Sequence, residues 1–153
     1  MSNSSKIIRC TEFTWPGIQK KEYKTDGTGF KDISRYTLLG NESDEQALGI
    51  QVRYFEIEEN GYSSLERHQH PHTVFITRGR GHILLDEEYH AIEPMDTVYV
   101  APGSIHQFHA DRGSILGFFC IVDRDRDRPQ TPSSKEELKE WIRSAKTRHK
   151  ARI

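Results

Sequence analysis

Short β-forming segments recur at regular intervals from residue 47 to residue 122, and no other feature constrains the fold of this chain so tightly. Ala47 to Glu58 alternates apolar and polar residues and is rich in β-formers, and Asn60-Gly61 predicts a tight turn after it. Further strands are predicted over 64–70, 72–78, 82–86, 89–92, 97–101, 106–109 and 114–122. Gly79-Arg80-Gly81, Asp86-Glu87-Glu88, Glu93-Pro94 and Pro102-Gly103 separate several of them. Strands this short and this regular cannot bury a face singly. They predict one all-β antiparallel barrel or jelly roll.

At 153 residues the chain suits a single domain, 1–153. Residues 1–46 are expected to wrap the barrel as edge strands and loops, since turn formers (Pro16-Gly17, Asp26-Gly27, Gly29) alternate there with isolated aromatics. Helical periodicity is confined to residues 134–148. Ser134 and Glu137 have capping-box spacing, and Leu138, Trp141, Ile142 and Ala145 recur at i, i+3, i+4, i+7, so one amphipathic helix should lay Trp141 on the barrel. Lys146, Arg148, Lys150 and Arg152 then read as a solvated basic end. A net charge of −1 gives no reason to expect nucleic acid or a membrane surface as partner. No apolar run approaches a bilayer span, and Met1 to Cys10 offers only Ile7-Ile8 as an apolar stretch, so a cytoplasmic protein is expected. Cys10 and Cys120 are distant and belong to no CxxC pair, which favours reduced thiols.

The chemistry concentrates in Glu66-Arg67-His68-Gln69-His70-Pro71-His72. If 64–70 is a strand, His68, His70 and Glu66 share one face. Neutral imidazole is the commonest metal ligand near neutral pH. Pro71 donates no ladder bond and marks a break, so His72 would open the next strand. A second segment, Asp96 to His106, reads as strand, tight turn, strand, and puts His106 at a strand start. Elsewhere, Glu66 is a candidate base or a strand-face acid paired to Arg67 or Arg53. Cys120 sits in an apolar strand, where a buried inert thiol competes with a reactive one, and Arg53 is a candidate for an anionic substrate. His82, His90, His109 and His149 lack partners at ligand spacing, and Asp123-Arg-Asp-Arg-Asp-Arg reads as a solvated, self-paired exit from the last strand.

The two segments resemble the paired motifs of the cupin superfamily. Gly61, His68, His70 and Gly79 match the first motif, and Gly103 and His106 match the second. His72 occupies the place of the usual glutamate, with only Pro71 between it and His70. Met95, Ala101 and Ala110 depart from the second motif. The resemblance implies a double-stranded β-helix barrel over 47–122, usually dimeric. It also implies one divalent metal ion (Fe, Mn, Ni, Zn or Cu) on His68, His70, His72 and His106, with Glu66 as the substitute for His72. Four neutral ligands would leave the ion's full charge in the pocket, favouring an enolate, enediolate or carboxylate oxygen.

The stretch RYFEI…SSLERHxHxH…GRG…YVAPGSIHQF…GFFC…RDRPQ is also similar to a group of small bacterial single-domain cupins that includes a methylthioxylulose-phosphate methylsulfurylase. That similarity implies Cys120 as acceptor of a methylthio group and Arg53 as a partner for phosphate. The expectation is thus a metal-dependent enzyme on a small oxygenated or anionic metabolite, by dioxygenase, isomerase or lyase chemistry. The alternatives are methylthio transfer and a non-enzymatic ligand-binding cupin, because one barrel hosts many chemistries.

Overall fold

The computed structural model describes residues 5–23 and 29–153; the Asp26-Gly27 turn expected from the sequence lies outside them. Among the described residues nine strands follow one another: β1 (Lys20–Tyr23), β2 (Lys31–Leu39), β3 (Ile50–Tyr62), β4 (His72–Arg78), β5 (Gly81–Leu85), β6 (Glu88–Ile92), β7 (Thr97–Val100), β8 (His106–Ala110) and β9 (Leu116–Asp123). Every pairing is antiparallel, in the order β6-β5-β8-β3-β9-β4-β7, with β2 added on β3 and β1 on β2. The sheet curls into a jelly-roll barrel because alternate residues of each strand are apolar and must leave water together.

The cross-strand register fixes what faces the interior. Thr37, Arg53, Cys120, Val74 and Val98 form one row across β2, β3, β9, β4 and β7. Arg35, Phe55, Phe118 and Ile76 form the row beside it. One end of the barrel is closed by Ile33, Ile57, Ile83, Phe108, Leu116 and neighbours, all buried. Cys120 belongs to the same buried cluster, and Arg53 opposite it begins the polar side of the interior. On the outer face, Trp15, Tyr36, Leu38 and Tyr54 form a separate aromatic cluster against Phe119.

Four expectations are corrected. Residues 64–70 are not a strand: Glu66 pairs with His106 and Arg67 with Gln130 in isolated bridges, and the Asp127 carboxylate takes the N–H groups of Gln69 and His70. Among the described residues the segment touches β8 only at single points, Ser63 with Phe108 and Glu66 with His106, and no continuous ladder forms. Asn60-Gly61 does not end its strand. Asn60 takes φ 58°, and β3 bends through it, leaving β9 to meet β8 at Tyr62–His109 while Tyr62 still pairs with Lys31 of β2. A Cβ on Gly61 would lie 2.6 Å from the Lys31 carbonyl oxygen, so the bend needs glycine there. The C-terminal helix is shorter than predicted. α1 (Lys135–Trp141) is capped by the Ser134 hydroxyl and stops at the extended Ile142, and a single turn, α2 (Ala145–Arg148), follows behind Ser144. Trp141 and Ile142 do pack on the barrel, with Leu65, Leu84 and Ile105. The basic end is not simply solvated, because the buried Gln107 side chain exchanges two hydrogen bonds with the Arg152 backbone.

Candidate metal centre

Four histidines converge at the open end of the barrel. His72 is the first residue of β4 and His106 the first of β8, so both side chains are placed by ladders. His68 and His70 sit on the irregular segment that bridges β8 to the chain after β9. Their rings stack at 3.7 Å between centroids, 5° from parallel. All four are buried. One ring nitrogen from each of His68, His72 and His106 lies within 4.8 Å of the others, a separation a single cation can span. His70 falls outside that trio, but its Nε2 is 3.2 Å from His72 Nε2.

The hydrogen bonds select the ligand form of these rings. His68 Nδ1 faces the His70 carbonyl oxygen at 2.7 Å, and His106 Nδ1 faces the Ser104 carbonyl oxygen at 3.1 Å. His70 Nδ1 faces Asp127 Oδ1 at 2.7 Å. An oxygen acceptor requires N–H on each Nδ1, which leaves the lone pair on Nε2. Among the described residues, His68 Nε2 and His106 Nε2 are buried without a hydrogen-bond partner. Glu66 Oε1 stands 3.8 Å from the first and 3.6 Å from the second. Three electron-rich atoms thus surround one point with no donor between them. Such an arrangement costs energy when empty, and a divalent cation fits it.

Burial, then the neighbouring His106 and His70, pushes the pKa of His68 down to about 4. Burial, then His106 and His68, pushes that of His72 far below its ordinary value. Both rings are neutral at physiological pH and compete for metal without a proton in the way. Burial acts to raise the Glu66 pKa, but the proximity of His106, then of His68 and Arg53, outweighs it and holds it below the ordinary carboxylate range.

A cavity of about 320 Å³ opens in front of the histidines and is lined by His70, His72, His106, Glu66, Cys120 and Arg53, among others. Arg53 Nη2 donates to Cys120 Sγ at 3.4 Å, and the two residues are direct cross-strand neighbours. Burial pushes the Cys120 thiol up, with Arg53 opposing. All seven residues singled out from the sequence therefore gather at one place: His68, His70, His72, His106, Glu66, Cys120 and Arg53. Three others were missed. Arg35 and Arg126 also line the cavity, and Asp127 holds His70. Arg126 and Asp127 belong to the alternating charge run, whose composition reads as solvated surface. Nothing local distinguishes the one aspartate that meets His70 from its neighbours.

Comparison with known proteins agrees with the geometry. Residues 53–122 match the Cupin domain family. The chain is 39% identical over 124 residues to the 1-methylthio-D-xylulose 5-phosphate methylsulfurylase of Rhodospirillum rubrum, covering 80% of this chain and 77% of that protein. The chain belongs to the cupin family. Among solved structures, this cupin resembles a cupin 2 conserved barrel domain protein from Rhodopseudomonas palustris, with TM-score 0.85 and 37% identity over 97% of this chain and 100% of the other. It also resembles a cupin-2 domain protein from Rhodospirillum rubrum, with TM-score 0.80 and 34% identity over 93% of each chain.

Proposed function

We propose that this cupin is a metal-dependent enzyme that transfers a methylthio group from C1 of a phosphorylated 2-ketose to the thiol of Cys120. The observation that carries the reading is the single cavity in which Cys120, bonded to Arg53, shares the lining with the candidate metal histidines and Glu66. The kinship with a methylsulfurylase supports it. His68, His72 and His106 would hold the ion, with His70 or Glu66 completing the set.

Thiolate formation at Cys120 comes first, and the guanidinium of Arg53 favours it against the desolvation that burial imposes. The thiolate attacks the sulfur of the methylthio group. As the new S–S bond forms, the C1–S bond breaks and its electron pair passes toward the C2 carbonyl oxygen. A bound divalent cation would stabilise negative charge on that oxygen. Protonation at C1 completes a methyl ketone, so C1 is reduced and Cys120 is oxidised to a methyl disulfide. Among the described residues Glu66 is the one carboxylate lining this cavity, and it is the group to move the protons. Arg53, Arg35 and Arg126 supply positive charge for the phosphate end.

Intact-mass spectrometry after incubation with 1-methylthio-xylulose 5-phosphate tests the reading. The wild type should acquire a methylthio adduct on Cys120, and Cys120→Ser should acquire none and fail to turn over. Full turnover by Cys120→Ser would overturn the transfer and leave a metal-binding cupin acting by other chemistry.

A further inference from the structure

The proposed transfer uses only the polar half of the cavity in front of the histidines. Three of its residues each have a phenylalanine two positions away on the same strand: Arg53 and Phe55 on β3, Cys120 and Phe118 on β9, His106 and Phe108 on β8. Members of such a pair point to the same side of the sheet. Phe55 stands directly opposite Phe118, and all three phenyl rings line the cavity. They stack in one layer with Phe118 at its centre. Its ring centroid is 5.5 Å from that of Phe55 and 4.5 Å from that of Phe108, at 17° and 23° from parallel. Ile57 and Leu116, the next same-face pair in the register, back this layer at the closed end of the barrel. On the other side of Cys120, Val74 stands opposite it and His72 is two residues beyond on β4. Cys120 thus lies between the histidines and a phenyl floor.

Displacement at a sulfide sulfur is in line: the Cys120 thiolate, the sulfur under attack and C1 fall on one axis, and the S-methyl group projects to its side. The C2 carbonyl oxygen is drawn toward the histidines, so the apolar methyl group turns away from them, onto the rings. We infer that Phe118, flanked by Phe55 and Phe108, seats the S-alkyl group of the substrate and limits its length; the inference rests on the transfer reading. Same-face positions on a strand are about 6.7 Å apart, so a methyl group on a sulfur level with Cys120 reaches the ring surface and a longer chain runs into it. Contact between sulfur and aromatic rings is favourable, and the layer has no room to recede, because Ile57 and Leu116 are fully buried behind it. The substrate class is a 1-alkylthio-2-ketose phosphate whose alkyl group is a single carbon. The bonds exchanged are the same for any alkyl group: S–S forms to Cys120, C1–S breaks, and its electron pair passes toward the C2 oxygen.

A chain-length series tests the assignment. Wild type, Phe118→Val and Phe55→Leu are each incubated with the 1-methylthio, 1-ethylthio and 1-propylthio derivatives of xylulose 5-phosphate, and the rate of Cys120 adduct formation is followed by intact mass. Wild type should load methylthio about tenfold or more faster than propylthio, since one or two methylenes against a packed wall are worth that much. Phe118→Val should load methylthio more slowly and propylthio faster, bringing the two within about threefold. A merely structural role for Phe118 would lower all three rates together, and a wild-type ratio in this variant overturns the assignment. Phe55→Leu, at a half-buried ring of the same layer, should relax the ratio in the same direction, and it decides the matter if Phe118→Val fails to fold. Equal loading of the three substrates by wild type overturns the seat while leaving the transfer intact. Absence of any adduct from the methylthio substrate overturns the transfer and this inference with it.

Discussion

His109 offers a measurement in which the barrel's outer layer reports on itself. It sits on β8 beside Gln107, on the opposite face from His106, and is 8% exposed. Tyr62 and Tyr89 pack against its ring at 6.1 and 5.4 Å between centroids. Its Nε2 has no hydrogen-bond partner among the described residues. Burial, then the positive charges of Arg152 and His82, pushes its pKa from 6.5 down to about 4, with Asp111 opposing and Lys150 adding to the fall. The unfolded chain therefore binds a proton at His109 between those two values while the folded protein does not. The stability this residue contributes is full above pH 6.5, declines as pH falls, and is gone below about pH 4. A difference of some two and a half pH units corresponds to about 3 kcal/mol. His109→Gln removes the titration and keeps a side chain of similar size. Urea unfolding at pH 7, 6, 5 and 4 in the presence of chelator, followed by tryptophan fluorescence, should show wild-type stability falling by about 3 kcal/mol more than that of the variant. Parallel stability curves for the two proteins would refute a neutral, desolvated His109.

Removal of the Asp127 carboxylate by Asp127→Ala should lower metal affinity roughly 10–100-fold in chelator competition, with Asp127→Asn falling between, because the carboxylate fixes the His70 tautomer. His106→Ala should abolish stoichiometric metal in elemental analysis, since it deletes one of the three convergent nitrogens. Ile142→Ala, at a side chain fully buried beneath the C-terminal segment, should cost about 2–5 kcal/mol in denaturant unfolding.

The sequence by itself determined the class of fold and the identity of the histidines. Period-two alternation and turn formers act over a few residues, so β4 through β9 lie close to where the pattern puts them. The HxHxH cluster is local in the same sense. Its geometry is not. His68 and His70 come together through an irregular segment whose backbone bonds go to His106, Gln130 and the Asp127 carboxylate, partners about forty or more residues away. Asn60-Gly61 shows the same limit, since a left-handed residue serves equally to end a strand and to bend one, and only the β8 partner at Tyr62 decides between them.

Tertiary structure alone decided which charges belong to the site. Arg53 is a strand arginine until β9 lays Cys120 opposite it, and Arg35 acquires Lys21 as neighbour only when β1 pairs with β2. Asp127 and Arg126 look like solvated surface in a run of alternating charge, yet one anchors His70 and the other lines the cavity in front of the histidines. The physical reason is that apolar periodicity is enforced along the chain by the need to leave water, whereas a polar side chain takes its role from whatever partner the closed barrel brings within a few ångströms.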